Sequence, residues 1–337
     1  MGQVQSVVYS HFRDWSLPWF QSTSAEAEEE KELGLFLRPL LSSFIAELGY
    51  HGPCATKNEK FWEALHLAAA ATGVAHAEDT PSYRCLKLGG YYGLVCFPNH
   101  PTEVQVHIGI YTWLATLMDN PADETLPDME CFHQRFVTGE PQPTLHLERW
   151  AENLRSTFNY WDPLVASMIV ASSINFTNAC VLEARLETGR MVPTKGGQQW
   201  PWYLREKSGI GDAYAYFAFP KALCPDVLSF MEAIADLSAF ICLTNDILSF
   251  YKEEKACDSN NYIHNTARYE GKHARIVLKD TIMQVKAAVD RTRVVMKGKG
   301  PYEQVLNDYI VGYIGFHLKN GRYKLGEIGL GDASEGE

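Results

Sequence analysis

The sequence predicts an all-α protein folded as one helical bundle, and three observations carry that prediction. Apolar residues recur at intervals of three and four along most of the chain. The two-residue alternation of half-buried strands is nearly absent. No internal repeat with a period of about 20–50 residues divides the chain into similar units. Taken in order, Thr23-Ser24-Ala25-Glu26 offers a capping box ahead of the acidic run Glu28-Glu29-Glu30, so a helix is expected to begin there. Leu35, Leu37, Leu40, Leu41, Phe44, Ile45 and Leu48 continue the helical spacing until Gly49 stops it. Residues 61–71 repeat the pattern. Over residues 103–118, Val104, His107, Ile108, Tyr111, Leu114, Ala115 and Met118 form one stripe, and Pro121 breaks it, which delivers Asp119 at the helix C-terminal end. Further helices are expected over 145–158, 163–185, 227–252, 274–296 and 302–319. The Gly/Pro/Gln-rich stretch 189–201 is the best internal loop, but similar helices flank it. Residues 23–325 are therefore read as one domain, after an irregular aromatic-rich segment 1–22 and before a polar, Gly-rich tail 326–337 expected to be disordered.

Composition narrows the partners. A 337-residue chain with 46% hydrophobic and 21% charged residues can bury a sizeable core and is too apolar to be disordered. A net charge of −11 argues against nucleic acid, whose binding needs clustered Lys and Arg, so an anionic substrate must be met by local cations or metals. Eight cysteines, 11 to 49 residues apart and without a Cys-x-x-Cys pair, read as reduced thiols rather than a zinc site. No stretch approaches the roughly 18–20 apolar residues of a membrane span, and the N-terminus lacks signal-peptide order, so a cytoplasmic protein without stable membrane insertion is expected. The opening Met1-Gly2-Gln3-Val4-Gln5-Ser6 fits a myristoylation pattern at Gly2, and a single acyl chain would bind membranes only marginally.

The most informative segment is Asn245-Asp246-Ile247-Leu248-Ser249-Phe250-Tyr251-Lys252-Glu253. Asn245, Ser249 and Glu253 stand at i, i+4 and i+8, which spans only about 80° of a helix face and lines up three hard oxygen donors. Such donors suit magnesium, which keeps one or two carboxylates and fills its shell with water and substrate phosphate. The competing reading is three polar residues on a solvated face; the apolar residues around the rest of this helix turn the line toward the interior instead. A second acidic element, Asp119-Asn120-Pro121-Ala122-Asp123-Glu124, would by itself pass for a solvated turn. A third, Arg322-Tyr323, follows the break Asn320-Gly321.

Together, in order and spacing, these elements resemble class I terpene cyclases of the fungal trichodiene synthase family. Arg205 lies 40 residues before Asn245, within Tyr203-Leu204-Arg205, and Arg322-Tyr323 begins 69 residues beyond Glu253. The resemblance runs from about residue 35 to 325 and departs from the family at Asn120, where a second acid is usual. It implies a single-domain class I terpenoid synthase bundle around a central active-site cavity. It implies three magnesium ions held by Asp119, Asn245, Ser249 and Glu253, with Asp123 as an outer partner. Arg205, Lys252, Arg322 and the Tyr323 hydroxyl would be the diphosphate-binding catalytic groups. The implied substrate is farnesyl diphosphate, ionised and cyclised through a 1,6-closure with release of diphosphate. Tyr111, Phe176, Phe219, Phe240 and Tyr313 are candidate aromatic walls for the carbocation, each with plain core packing as its alternative. A second copy of the chain is the one candidate macromolecular partner. A prenyl-chain-elongating synthase and a catalytically silent isoprenoid-binding bundle are the alternatives; the first would carry a second Asp-rich motif in place of the Asn/Ser/Glu set.

Overall fold

The computed structural model describes residues 24–52, 58–119, 125–186 and 192–331, and among these there is no strand. The helices are α1 (Ser24–Glu47), α2 (Glu59–Thr72), α3 (Pro81–Cys96), α4 (Thr102–Met118), α5 (Leu126–Glu130), α6 (Phe132–Thr138), α7 (Leu145–Ser156), α8 (Pro163–Leu186), α9 (Trp200–Ser208), α10 (Gly211–Phe217), α11 (Ile234–Lys255), α12 (Tyr262–Glu270), α13 (Ala274–Met296) and α14 (Pro301–Lys319). The stripe ending at Met118 is α4, and Asp119 caps its C-terminus as expected. Residues 1–23, 120–124, including Asp123, and 332–337 lie outside the described residues, as does Gly2 with its acylation pattern.

Four expectations are corrected. Helix α3 is absent from the sequence reading because Gly89, Gly90 and Gly93 obscure its pattern. Yet Thr80 caps it through Tyr83 N–H and Pro81 opens it. The glycines are there for contact: a Cβ on Gly89 would stand 2.8 Å from the Trp113 backbone nitrogen, so α3 and α4 pack backbone against backbone. Gly312 of α14 meets α3 the same way, with a Cβ there falling 2.9 Å from Cys96 Cα. The helix expected from residue 227 starts as two 3-10 turns, and α11 proper begins at Ile234. Two helical stretches, Pro163–Arg185 and Met231–Lys255, are long and apolar enough to cross a membrane by length and composition, contrary to expectation, but 78% of the second is buried inside the bundle as its central helix. The tail expected from Gly326 stays packed further: a 3-10 turn spans Leu325–Ile328, and Ile328 and Leu330 join the core.

One hydrophobic cluster runs from Leu33 to Leu330 and is rich in aromatic rings. Tyr92 of α3 sits at its hub, 4.7 Å from the Tyr214 ring, 5.1 Å from Phe316 and 6.0 Å from Tyr313. The hydroxyls of these interior tyrosines are engaged. Tyr92 pairs with Tyr309 at 2.7 Å, Tyr111 with Ser173, Tyr214 donates to Thr112, and Tyr313 donates to the Ile241 carbonyl.

Candidate active site

The C-terminal half of α11 carries polar residues inside an otherwise apolar helix. Asn245 is half-buried, Ser249 is 1% exposed and Glu253 is 3% exposed, so the line expected from their spacing does face inward. Among the described residues the buried Ser249 Oγ has no hydrogen-bond partner, and neither has Thr244 Oγ1 nearby. A buried hydroxyl left unanswered costs on the order of 1–3 kcal/mol, which calls for a ligand that would answer it.

Arg205, near the end of α9, reaches across to α11. Its Nε donates to Asp246 Oδ2 at 2.7 Å, and its Nη2 donates to the Cys242 carbonyl at 2.9 Å and to Asn245 Oδ1 at 3.1 Å. Burial alone would favour the neutral guanidine, but the Asp246 carboxylate overrides it and holds the Arg205 pKa above its ordinary value. The short link after α9 is tight: a Cβ on Gly209 or Gly211 would stand 2.6 or 2.7 Å from Cys242 Sγ. Between them Ile210 adopts a left-handed backbone at φ 51°, an unfavourable state for a β-branched residue.

On the other side of Asn245, its Nδ2 donates to the Tyr323 hydroxyl at 3.2 Å and to His317 Nε2 at 3.3 Å. Tyr323 thus accepts in this contact and keeps its own proton to give. Burial pushes the Tyr323 pKa up, which keeps that proton in place. His317 is fully buried, and its Nδ1 lies 2.8 Å from the Tyr313 carbonyl. Burial, with Arg322 and Lys252 nearby, lowers its pKa to about 3.

Lys252 places its Nζ 5.7 Å from the centre of the Tyr323 ring. Burial and then the Arg322 charge lower its pKa to about 8, against the opposing pull of Glu253, Asp258 and Asp119. Three of the charges that act on Lys252, those of Asp119, Glu253 and Arg322, belong to residues the sequence singled out, and with the Tyr323 ring beside Lys252 these groups share one end of the bundle. Asp119 and Glu253 lie at the C-terminal ends of α4 and α11, where the helix dipole favours cations rather than carboxylates. Among the described residues no group of three or more His, Cys, Asp or Glu is poised to hold a metal. The donor set is instead an amide, an unanswered hydroxyl and carboxylates, all hard oxygens, and it fits magnesium.

The five candidate aromatics separate. Tyr313 meets His317 edge-on at 4.5 Å and Phe240 at a tilt at 5.5 Å, which keeps both close to the polar end. Tyr111 packs against Trp150 and Phe217 at 4.7 Å each, deeper in the interior. Phe176 is a buried core residue of α8. Phe219 stacks on Phe230 at 4.4 Å, and Phe230 in turn faces Tyr302 at the start of α14. The length of that helix, about 28 Å at 1.5 Å per residue, separates Tyr302 from the Arg322 end. Sequence reasoning missed Tyr92, hidden with α3, and it missed Asp246 and His317, whose partners lie 41 and 72 residues away. A groove of about 500 Å³ lined by Ala64, Val106, His107 and Tyr160 touches none of these groups.

A sequence model of the trichodiene synthase family matches residues 87–335. The chain is 40% identical over 303 residues to longiborneol synthase of Gibberella zeae, covering 89% of each chain. It is 35% identical over 291 residues to a terpene synthase of Cochliobolus sativus, covering 86% of this chain and 89% of that one. Among solved structures, a linalool/nerolidol synthase from Streptomyces clavuligerus superposes with a TM-score of 0.58 over 80% of this chain and 98% of its own, at 10% identity. An α-eudesmol synthase does so at 0.56 over 80% and 97%, at 14% identity, so the two share the fold of this chain.

Proposed function

The chain belongs to the trichodiene synthase family, and from that premise and the site we propose that it is a sesquiterpene synthase. It takes farnesyl diphosphate, releases the diphosphate and cyclises the allylic cation through a 1,6-closure. The observation that carries this reading is the inward-facing line Asn245, Ser249, Glu253, with its unanswered hydroxyl, gathered with Arg205, Lys252 and Tyr323 at one end of an aromatic interior.

Asn245, Ser249, Glu253 and Asp119 would hold magnesium. When bound, magnesium neutralises the diphosphate and makes it a better leaving group. The Asn245 oxygen has two lone pairs, so its bond to Arg205 leaves one for a metal. Lys252, Arg322, Arg205 and the Tyr323 hydroxyl donate to diphosphate oxygens, and charge-assisted bonds of this kind strengthen as the C–O bond breaks. Tyr92, Tyr111, Tyr214 and Tyr313 present ring faces worth about 0.5–2 kcal/mol each to a passing cation. Their hydroxyls stay engaged in internal hydrogen bonds and are not idle nucleophiles. A cytoplasmic location accords with this reading, as farnesyl diphosphate is water-soluble.

Incubation of the purified protein with farnesyl diphosphate, with and without magnesium, followed by gas chromatography–mass spectrometry and a diphosphate assay, tests the proposal. Magnesium-dependent cyclic fifteen-carbon products are expected. Chain-elongated products with added isopentenyl diphosphate, preferred turnover of geranylgeranyl diphosphate, or binding without diphosphate release would each overturn it.

A further inference from the structure

The Asn245 carboxamide has two ends that differ in chemistry and nearly match in shape, so something must fix which end faces which way. On one side stands Arg205, whose guanidinium only donates, at 3.1 Å from Oδ1. On the other stands His317, whose ring nitrogens can take either role until a partner decides. The partner here is the Tyr313 carbonyl one helical turn earlier, 2.8 Å from Nδ1. A carbonyl only accepts, so Nδ1 carries the proton and Nε2 is left as a bare lone pair, which receives Asn245 Nδ2 at 3.3 Å. The ring cannot swing to another arrangement: it is fully buried, packed 4.4 Å from the Tyr323 ring, 4.5 Å from Tyr313 and 5.3 Å from Phe316.

We infer that His317 is a positioning residue for the Asn245 ligand: its unprotonated Nε2 holds the amide nitrogen on the α14 side, which keeps Oδ1 turned away from α14 and available as a metal ligand. A flipped amide would set Nδ2 against the Arg205 donors and Oδ1 against the Nε2 lone pair, two mismatches at once. It would also offer a metal an NH2 group, which cannot ligate. The Tyr323 hydroxyl accepts from the same Nδ2, so fixing the amide also orients the hydroxyl whose proton faces the diphosphate in the proposed function. The backbone carbonyl of Tyr313 thereby acts at a distance on a ligand 68 residues earlier in the chain, through one imidazole.

The inference rests on Asn245 being a metal ligand, and the experiment separates the two. Binding of Mn²⁺ in the presence of inorganic diphosphate is followed by electron paramagnetic resonance, beside the magnesium dependence of turnover and thermal unfolding without metal. Asn245→Ala should weaken Mn²⁺ binding; if it does not, Asn245 is no ligand and the premise fails. Given that it does, His317→Phe should weaken Mn²⁺ binding and raise the half-saturating magnesium about tenfold or more, as losses of groups that orient a ligand do. His317→Gln, which can still accept through Oε1, should restore most of the loss. In an Asn245→Asp background the carboxylate has no wrong end, and His317→Phe should there change the magnesium requirement less than about twofold. Equal losses in both backgrounds, or an unchanged magnesium requirement, would show that His317 only fills space and would overturn the inference. The unmutated protein supplies a test that needs no folded variant. Nitrogen NMR of ¹⁵N-histidine-labelled enzyme at neutral pH should show His317 as the Nδ1–H tautomer, and an Nε2–H tautomer or an imidazolium would overturn it.

Discussion

Helices α4 and α11 both run through the core with most of their residues buried, and each carries polar side chains inside it. On α4 those groups are answered by the protein. Gln105 donates to the Phe97 carbonyl, Thr112 accepts from Tyr214, and His107 lies 3.3 Å from both Ser156 Oγ and Thr157 Oγ1. On α11 no described residue answers the hydroxyls of Thr244 and Ser249, although they are just as deeply buried. The difference separates two uses of buried polarity. Satisfied groups specify packing, whereas an unsatisfied hydroxyl in line with Asn245 and Glu253 leaves room for a ligand from outside the chain to answer it. Asp119 lies between these cases: it caps the C-terminus of α4 as a half-buried carboxylate.

The severest test of this contrast is Glu253→Gln. Glu253 supplies the only carboxylate of the helical line, because the neighbouring Asp246 is committed to Arg205 at 2.7 Å. The substitution leaves a neutral donor set beside Lys252, and turnover is expected to fall by on the order of 10³-fold or more. Ser249→Ala should lose about tenfold in turnover and, with the orphan hydroxyl gone, should unfold about 2 °C higher. A lowered unfolding temperature would mean that the hydroxyl is satisfied after all and that the contrast with α4 is void. Asp119→Asn should be milder, raising the magnesium requirement about tenfold and increasing acyclic products while leaving measurable turnover. An inactive Asp119→Asn beside an active Glu253→Gln would invert the ranking of the two elements.

The same contrast explains what could be read from the sequence. The Asn/Ser/Glu line was legible because a helix repeats every 3.6 residues, so spacing alone put three oxygens on one face. Asp119 was legible because Pro121 had to end its helix. Asp246 and His317 were not, since their roles come from Arg205 and Asn245, groups brought near only by packing. Helix α3 failed for another reason: its glycines lower helix propensity locally, and their value appears only when the α4 backbone lies against them. Among the aromatics, sequence periodicity marks burial but not depth, so Phe219 and Tyr313 looked equivalent although Phe219 stacks on the Phe230 that faces the start of α14 and Tyr313 lies beside His317 in its last two turns.

The smallest effect on activity is expected at His107, where α4's satisfied polarity can be tested directly. Burial lowers its pKa from the ordinary 6.5 to about 3, so the folded protein holds it neutral across the working range. Below pH 6.5 the unfolded chain takes up a proton at this position and the folded one does not. The unfolded state therefore binds more protons, and stability falls as pH drops from about 6.5 toward 3; above 6.5 the contribution is complete and constant. Each pH unit in that window costs about 1.4 kcal/mol from this one group. Carboxylates and His100, which burial holds at about 4, add their own acid dependence, so the informative quantity is a difference between proteins. His107→Gln removes the titrating group but keeps a side chain able to hydrogen-bond Ser156 and Thr157. It should lose some stability at pH 7 and then fall less steeply than the unsubstituted protein between pH 6.5 and 4.5 in urea unfolding. Its turnover and magnesium requirement at pH 7.5 should stay within about twofold, since His107 answers to Ser156, Thr157 and the Tyr160 and Trp161 rings and to none of the site residues. Parallel pH profiles for the two proteins would show that His107 is charged in the fold. A raised magnesium requirement would instead tie α4's interior polarity to the site and erase the distinction between the two helices.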